Sequence, residues 1–144
     1  MNPIPRHIQS KLLSSLDKFP VVSVTGPRQS GKTTLVRQAL PDWSYVNLEA
    51  PDLRQFATDD PRGFLGDFSG PAIFDEVQRV PDLLSYIQTV VDERGGVGHY
   101  VLTGSHNFQL MEGITQSLAG RSAILNLLPF SMGELLGRQD PVPG

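Results

Sequence analysis

No cysteine occurs in the sequence, which excludes disulfide staples and thiolate metal sites. Lysine is scarce: Lys11, Lys18 and Lys32 are the only three. His7, His99 and His106 show neither a metal-ligand spacing nor a nucleophile partner. No apolar run approaches the roughly 20 residues of a transmembrane helix. The start, MNPIPRHIQSKLL, lacks the apolar centre of a signal peptide. An excess of positive charge is missing too. The formal net charge is -3, so electrostatics gives no case for nucleic acid as a partner. These absences leave a soluble cytoplasmic domain as the expectation. The 144 residues suffice for one domain that buries roughly 70% of its unfolded surface without a staple.

What is present alternates between two periods. Ile8, Leu12, Leu13 and Leu16 fall on one face of an opening helix within residues 7–18. VVSVT (Val21 to Thr25) is short and β-branched, as a buried strand would be. A helix is expected from Lys32 to about Leu40, stopped by Pro41. Further strands are expected at Ser44 to Glu49, Ala72 to Glu76, Tyr100 to Thr103 and Ala123 to Leu128. Helical periods join them at Leu83, Leu84, Ile87, Val90 and Val91, and along the stretch ending at Leu118. Ala50 to Phe68, rich in acids, proline and glycine, reads as short helical turns in a long surface connection. Ser131 and Glu134 have the spacing of a capping box for one more helix. The strands are continuously apolar, which predicts a parallel sheet covered on both faces. The division expected is an N-terminal helix at 1–19 packed on a core at 20–138, then a linker at 139–144 leading toward a C-terminal region beyond this chain.

GPRQSGKT, Gly26 to Thr33, fits the phosphate-loop pattern G-x-x-x-x-G-K-[ST]. The composition gives roughly a 0.4% chance of an accidental match. The match also lies between a strand and a helix, where its mechanism requires it. Gly26 and Gly31 let the chain curl so that successive N–H groups converge on one point. Pro27 has no N–H, so the donors are expected from about Gln29 to Thr34, with Ser30 and Gly31 among them. Arg28 is either a phosphate contact or a solvated side chain. The helix beginning near Lys32 adds its positive end. Lys32 supplies charge to the outer phosphates, and the Thr33 hydroxyl is a candidate ligand for Mg²⁺. The competing reading is a glycine turn capping a helix, with Lys32 in solvent.

AIFDE closes an apolar strand with two carboxylates. Downstream of a phosphate loop, Asp75 is the candidate holder of Mg²⁺, and Glu76 the candidate base that orients an attacking water. No N-K-x-D motif for guanine occurs. On an open parallel sheet, ligands sit at the strands' C-terminal ends. Thr103 and Ser105, in YVLTGS, are therefore candidates to sense the outer phosphate, with Ser105 preferred. Arg121, just before the fifth strand, is a candidate stabiliser of transition-state charge in its own subunit or a neighbour's. Trp43 and Tyr45 are read as packing residues.

Taken in order, GPRQSGKTTL, YVNLE, IFDEVQ, YVLTGS, SLAGR and LPFS-x-x-EL resemble the bacterial and archaeal AAA-like ATPases that carry an uncharacterised C-terminal domain. The resemblance runs from about Val21 to Leu136. It implies a three-layer α/β/α P-loop NTPase with a mainly parallel five-stranded sheet in the order 5-1-4-3-2. It also implies ATP and Mg²⁺ binding, Glu76 as catalytic base and a polar sensor at Thr103 or Ser105. The expected activity is ATP hydrolysis that drives or regulates a conformational change, slow in the isolated fragment because the C-terminal domain is absent. Further subunits are possible partners. Two alternatives stand beside it. One is a nucleotide-gated switch or scaffold that binds ATP with little hydrolysis. The other is a small-molecule P-loop kinase, whose arginine-rich lid has no counterpart in Leu110–Gln116.

Overall fold

A computed structural model of the chain describes residues 6–27, 31–105 and 107–127, apart from the side chains of Arg6, His7 and Phe108. The expected helix around Ser131 and the linker at 139–144 lie outside the described residues.

The strands are β1 (Val21–Thr25), β2 (Ser44–Asn47), β3 (Ala72–Asp75), β4 (Tyr100–Gly104) and β5 (Ser122–Asn126). The helices are α1 (Arg6–Leu16), α2 (Lys32–Ala39), α3 (Pro51–Asp59), α4 (Pro61–Gly66), α5 (Leu83–Arg94) and α6 (Phe108–Ser117). All four strand pairings are parallel, and the sheet order is β2-β3-β4-β1-β5. Read from the other edge, this is the 5-1-4-3-2 order expected.

Because a strand sends successive side chains to opposite faces, the continuous apolar runs fill two cores. Val21, Val46, Ala72, Phe74, Tyr100 and Leu102 point to the face covered by α3, α4, α5 and α6. Val22, Val24, Ile73, Val101 and Leu125 point to the face covered by α1 and α2. The same alternation carries the strand ends. Asp75 is two residues on from Ile73, and Thr103 two on from Val101, so both face α2. Tyr45 packs against that core as well.

Two expectations are corrected. Leu13 leaves the core and is 44% exposed, since α1 rests on the sheet through Ile8, Leu12 and Leu16. The segment 50–68 forms short helices as expected, but it is more than a surface connection. Pro51 and Pro61 sit at the first turns of α3 and α4, where a missing N–H leaves no acceptor wanting, and Asp60 accepts from Gly63 N–H. Those short helices bury Ala57, Phe64 and Leu65. The Phe64 ring centroid lies 5.4–5.6 Å from those of Phe56 and Phe68, met edge-on, and Phe74, met at a tilt.

Candidate functional site

Buried polar side chains mark the site. Among the described residues these are Ser23, Thr25, Lys32, Asp75 and Thr103. All but Ser23 stand at the C-terminal end of the sheet or in the first turn of α2. Such side chains are rarely fully buried without a partner.

The phosphate loop begins where β1 ends. Gly26 N–H donates to Gly104 O at 3.2 Å, which ties the loop's first residue to the end of β4. Arg28, Gln29 and Ser30 lie outside the described residues. Gly31 takes φ 88°, a left-handed conformation that suits glycine, and its carbonyl accepts from Leu35 N–H at 2.8 Å. The amides of Lys32, Thr33 and Thr34 thus open α2 with no acceptor inside the helix, and its positive end points at the loop. Lys32 is 5% exposed and its Nζ donates to Pro27 O at 3.2 Å, folding the cation back over the loop.

Asp75 gathers three hydroxyls. Thr33 Oγ1 donates to Asp75 Oδ2 at 2.9 Å, and the Tyr45 hydroxyl donates to the same oxygen. Thr103 Oγ1 donates to Asp75 Oδ1. The carboxylate is 3% exposed and Thr103 is fully buried. Thr33 and Asp75, which sequence reasoning paired as metal residues, therefore meet. Tyr45, read from the sequence as a packing residue, does pack against the core and also reaches this carboxylate. Its ring also lies under the Arg37 guanidinium, 4.3 Å from Cζ to the ring centroid. Burial, then the bond to Asp75, holds its phenol well above the ordinary 10.0.

Glu76 lies on the other side of the strand end. It takes φ 60°, and its N–H donates to Thr103 Oγ1 at 3.3 Å. Its Oε1 accepts from Gln78 Nε2 at 2.7 Å. Ser105 is half-buried, and its N–H donates to Gln78 Oε1 at 3.3 Å. Of the two sensor candidates, Thr103 has its hydroxyl turned inward onto Asp75, and Ser105 stands at the strand's mouth.

Arg121 is placed elsewhere. Its carbonyl accepts from Val21 N–H, so it sits where β1 and β5 begin, a full strand length from the loop. Its guanidinium forms a two-pronged bond with Asp92 at 2.7 and 2.9 Å. Action on a phosphate held by its own loop is corrected by this placement. A parallel sheet puts a residue preceding a strand at the end away from the site. His99 bonds Gly95 O at 2.6 Å in the loop after α5.

An all-parallel sheet with helices on both faces, and a glycine loop leading from an interior strand into a helix, defines the P-loop NTPase class. The chain belongs to the AAA-domain family, whose profile matches residues 18–136. It is 34% identical over 125 residues to the uncharacterised proteins Mb2031c of Mycobacterium bovis and Rv2008c of Mycobacterium tuberculosis. Each match covers 85% of this chain and 28% of the relative, so the chain spans little more than a quarter of their length. Among solved structures, the Walker-type ATPase PABY2304 of Pyrococcus abyssi superposes with a TM-score of 0.59 at 20% identity. That match covers 94% of this chain and 57% of the other. AMPPCP-bound DnaA from Aquifex aeolicus gives 0.55 at 14% identity, over 84% and 44%. These likenesses concern the fold. No helix among the described residues is long and apolar enough to cross a membrane.

Proposed function

We propose that the chain binds ATP with Mg²⁺ and hydrolyses it, using the free energy to drive or regulate a conformational change of a larger protein. The observation that carries this reading is the Thr33–Asp75 contact at 2.9 Å, beside a buried Lys32 at the mouth of a parallel sheet. The two groups converge from the first turn of α2 and the end of β3.

The donor set suits Mg²⁺. Thr33 and Asp75 offer only hard oxygens, and few of them, as fits an ion that keeps most of its waters and phosphate ligands. Among the described residues no group of three His, Cys, Asp or Glu offers an all-protein cage. When bound, the ion neutralises charge on the phosphates. The remaining work falls to the chain. The α2 amides and Lys32 bind and orient the triphosphate. Asp75, bonded by Thr103 and Tyr45, has its carboxylate held in place beside Thr33. Glu76 takes the proton of the attacking water, and Ser105 meets the outer phosphate. Arg28, Gln29 and Ser30 complete the loop, and Arg121 is left a role only toward a neighbouring subunit. A C-terminal domain and further subunits are the proposed recipients of the conformational change.

The test compares phosphate release and ATP binding by full-length wild type and Glu76→Gln. Retained binding with lost release is expected. Unchanged release sinks Glu76 as the base. Tight binding with no release by wild type replaces hydrolysis with a nucleotide-gated switch.

A further inference from the structure

We propose that Gln78 is the positioning residue for Glu76, bridging the base to the end of β4 so that its orientation follows that strand. The inference rests on the hydrolysis reading and names a residue that reading does not use.

Glu76 has φ 60°, and no other non-glycine residue among those described has a positive φ. A residue with a side chain persists there only where its surroundings over-determine it. The surroundings here come from β4. The backbone of Glu76 is held by Thr103 Oγ1, and its side chain by Gln78 Nε2. The same amide reaches Ser105 N–H through Oε1. The chemistry fixes which way the amide points, since a carboxylate needs a donor and an N–H needs an acceptor. Glutamine is suited to this bridge because one planar head carries both. Leucine would supply neither, and glutamate would set a second anion against Glu76.

Gly104 makes the space. A Cβ built there would stand 2.6 Å from Gln78 Oε1 and 2.7 Å from Leu110 Cδ2. The amide therefore lies flat against the strand end only because residue 104 has no side chain. Fixing Glu76 Oε1 leaves Oε2 as the oxygen that receives the proton. A shift of Ser105 on meeting phosphate passes through two hydrogen bonds to the base.

The experiment measures ATP turnover by the full-length protein with Gln78→Leu, Glu76→Gln and the double variant. Gln78→Leu is expected to lower kcat at least tenfold with KM for ATP within twofold. The double variant should be no slower than Glu76→Gln alone, because Gln78 acts through Glu76. Gln78→Asn, one methylene short of spanning both partners, should show the same split if the leucine variant folds poorly. A second readout needs neither metal nor nucleotide: the Ser105 amide proton should move upfield in Gln78→Leu. Wild-type or raised kcat in folded Gln78→Leu, an unmoved Ser105 amide, or a further loss in the Glu76→Gln background overturns the proposal. Equal turnover by wild type and Glu76→Gln instead removes the hydrolysis reading, and the positioning role with it.

Discussion

Replacing Thr103 with valine exchanges one hydroxyl for a methyl. The side chain is fully buried in β4, and valine has nearly its shape and a strong preference for strands. What disappears is the donor to Asp75 Oδ1 and the acceptor of Glu76 N–H. A hydrogen bond to a charged group contributes about 1.5–3 kcal/mol, and a neutral one about 1 kcal/mol. With Asp75 only 3% exposed, water cannot readily replace the lost donor. Thr103→Val is therefore expected to cost about 2–4 kcal/mol of unfolding free energy. Thr103→Ser keeps the hydroxyl and loses one methyl, about 0.8 kcal/mol. The assay is urea unfolding followed by the fluorescence of Trp43, the sole tryptophan, in chelator and without nucleotide, so that ligand binding does not add to stability. The cost of Thr103→Val should shrink in an Asp75→Asn background, where the charge is gone. A serine variant less stable than the valine variant, or a valine cost below about 0.5 kcal/mol, would refute the reasoning, since packing would then outweigh the hydrogen bonds.

Tyr45→Phe keeps the ring under Arg37 but removes a hydroxyl from Asp75 Oδ2, and should cost about 1–2 kcal/mol in the same assay. Because the phenol of Tyr45 titrates above its ordinary 10.0, its contribution is whole below pH 10 and fades as pH rises further; the gap between wild type and Tyr45→Phe should narrow on that alkaline limb of a stability–pH series. Phe64→Ala should cost about 3–5 kcal/mol by urea unfolding, because three neighbouring rings lose their shared partner. At the far end of the sheet, the hydrogen bonds from Arg121 hold the Asp92 carboxyl below its ordinary 3.8. That contribution is present above the ordinary value and lost as pH falls through the lowered one, so the stability difference between wild type and Asp92→Asn should be small at neutral pH and vanish in strong acid, as read by thermal unfolding.

The sheet and its loop were legible because their signals are local. VVSVT, GPRQSGKT and the following helix are contiguous, and the runs of β1, β3 and β4 are apolar enough to be buried on both faces. The meeting of Thr33 with Asp75 was legible from the two motifs together. What escaped depends on separation in the chain or on competing composition. Tyr45 earns its place through a carboxylate thirty residues away, and nothing beside it in SYVN announces that. The acids, prolines and glycines of 50–68 hid the spacing of Phe56, Phe64 and Phe68; the fold sets Phe56 against Phe64, and both Phe64 and Phe68 against Phe74. The sequence left Arg121 between its own subunit and a neighbour's although a signal existed, for a residue that opens a parallel strand starts at the end opposite the loop.

The alternation of β3 divides the site between the two sides of one sheet. Asp75 belongs to the α2 side, with Thr33 and Tyr45, while Gln78 meets β4 beside Leu110 on the α6 side. Thr103 hydrogen-bonds both carboxylate residues, through Asp75 Oδ1 and the Glu76 amide. The two halves are therefore free to accumulate substitutions on separate histories. Second-site changes that rescue a damaged metal side should cluster in α1, α2 and β2, those that rescue the water side in α5 and α6, and position 103 should be the least tolerant of drift because it answers to both.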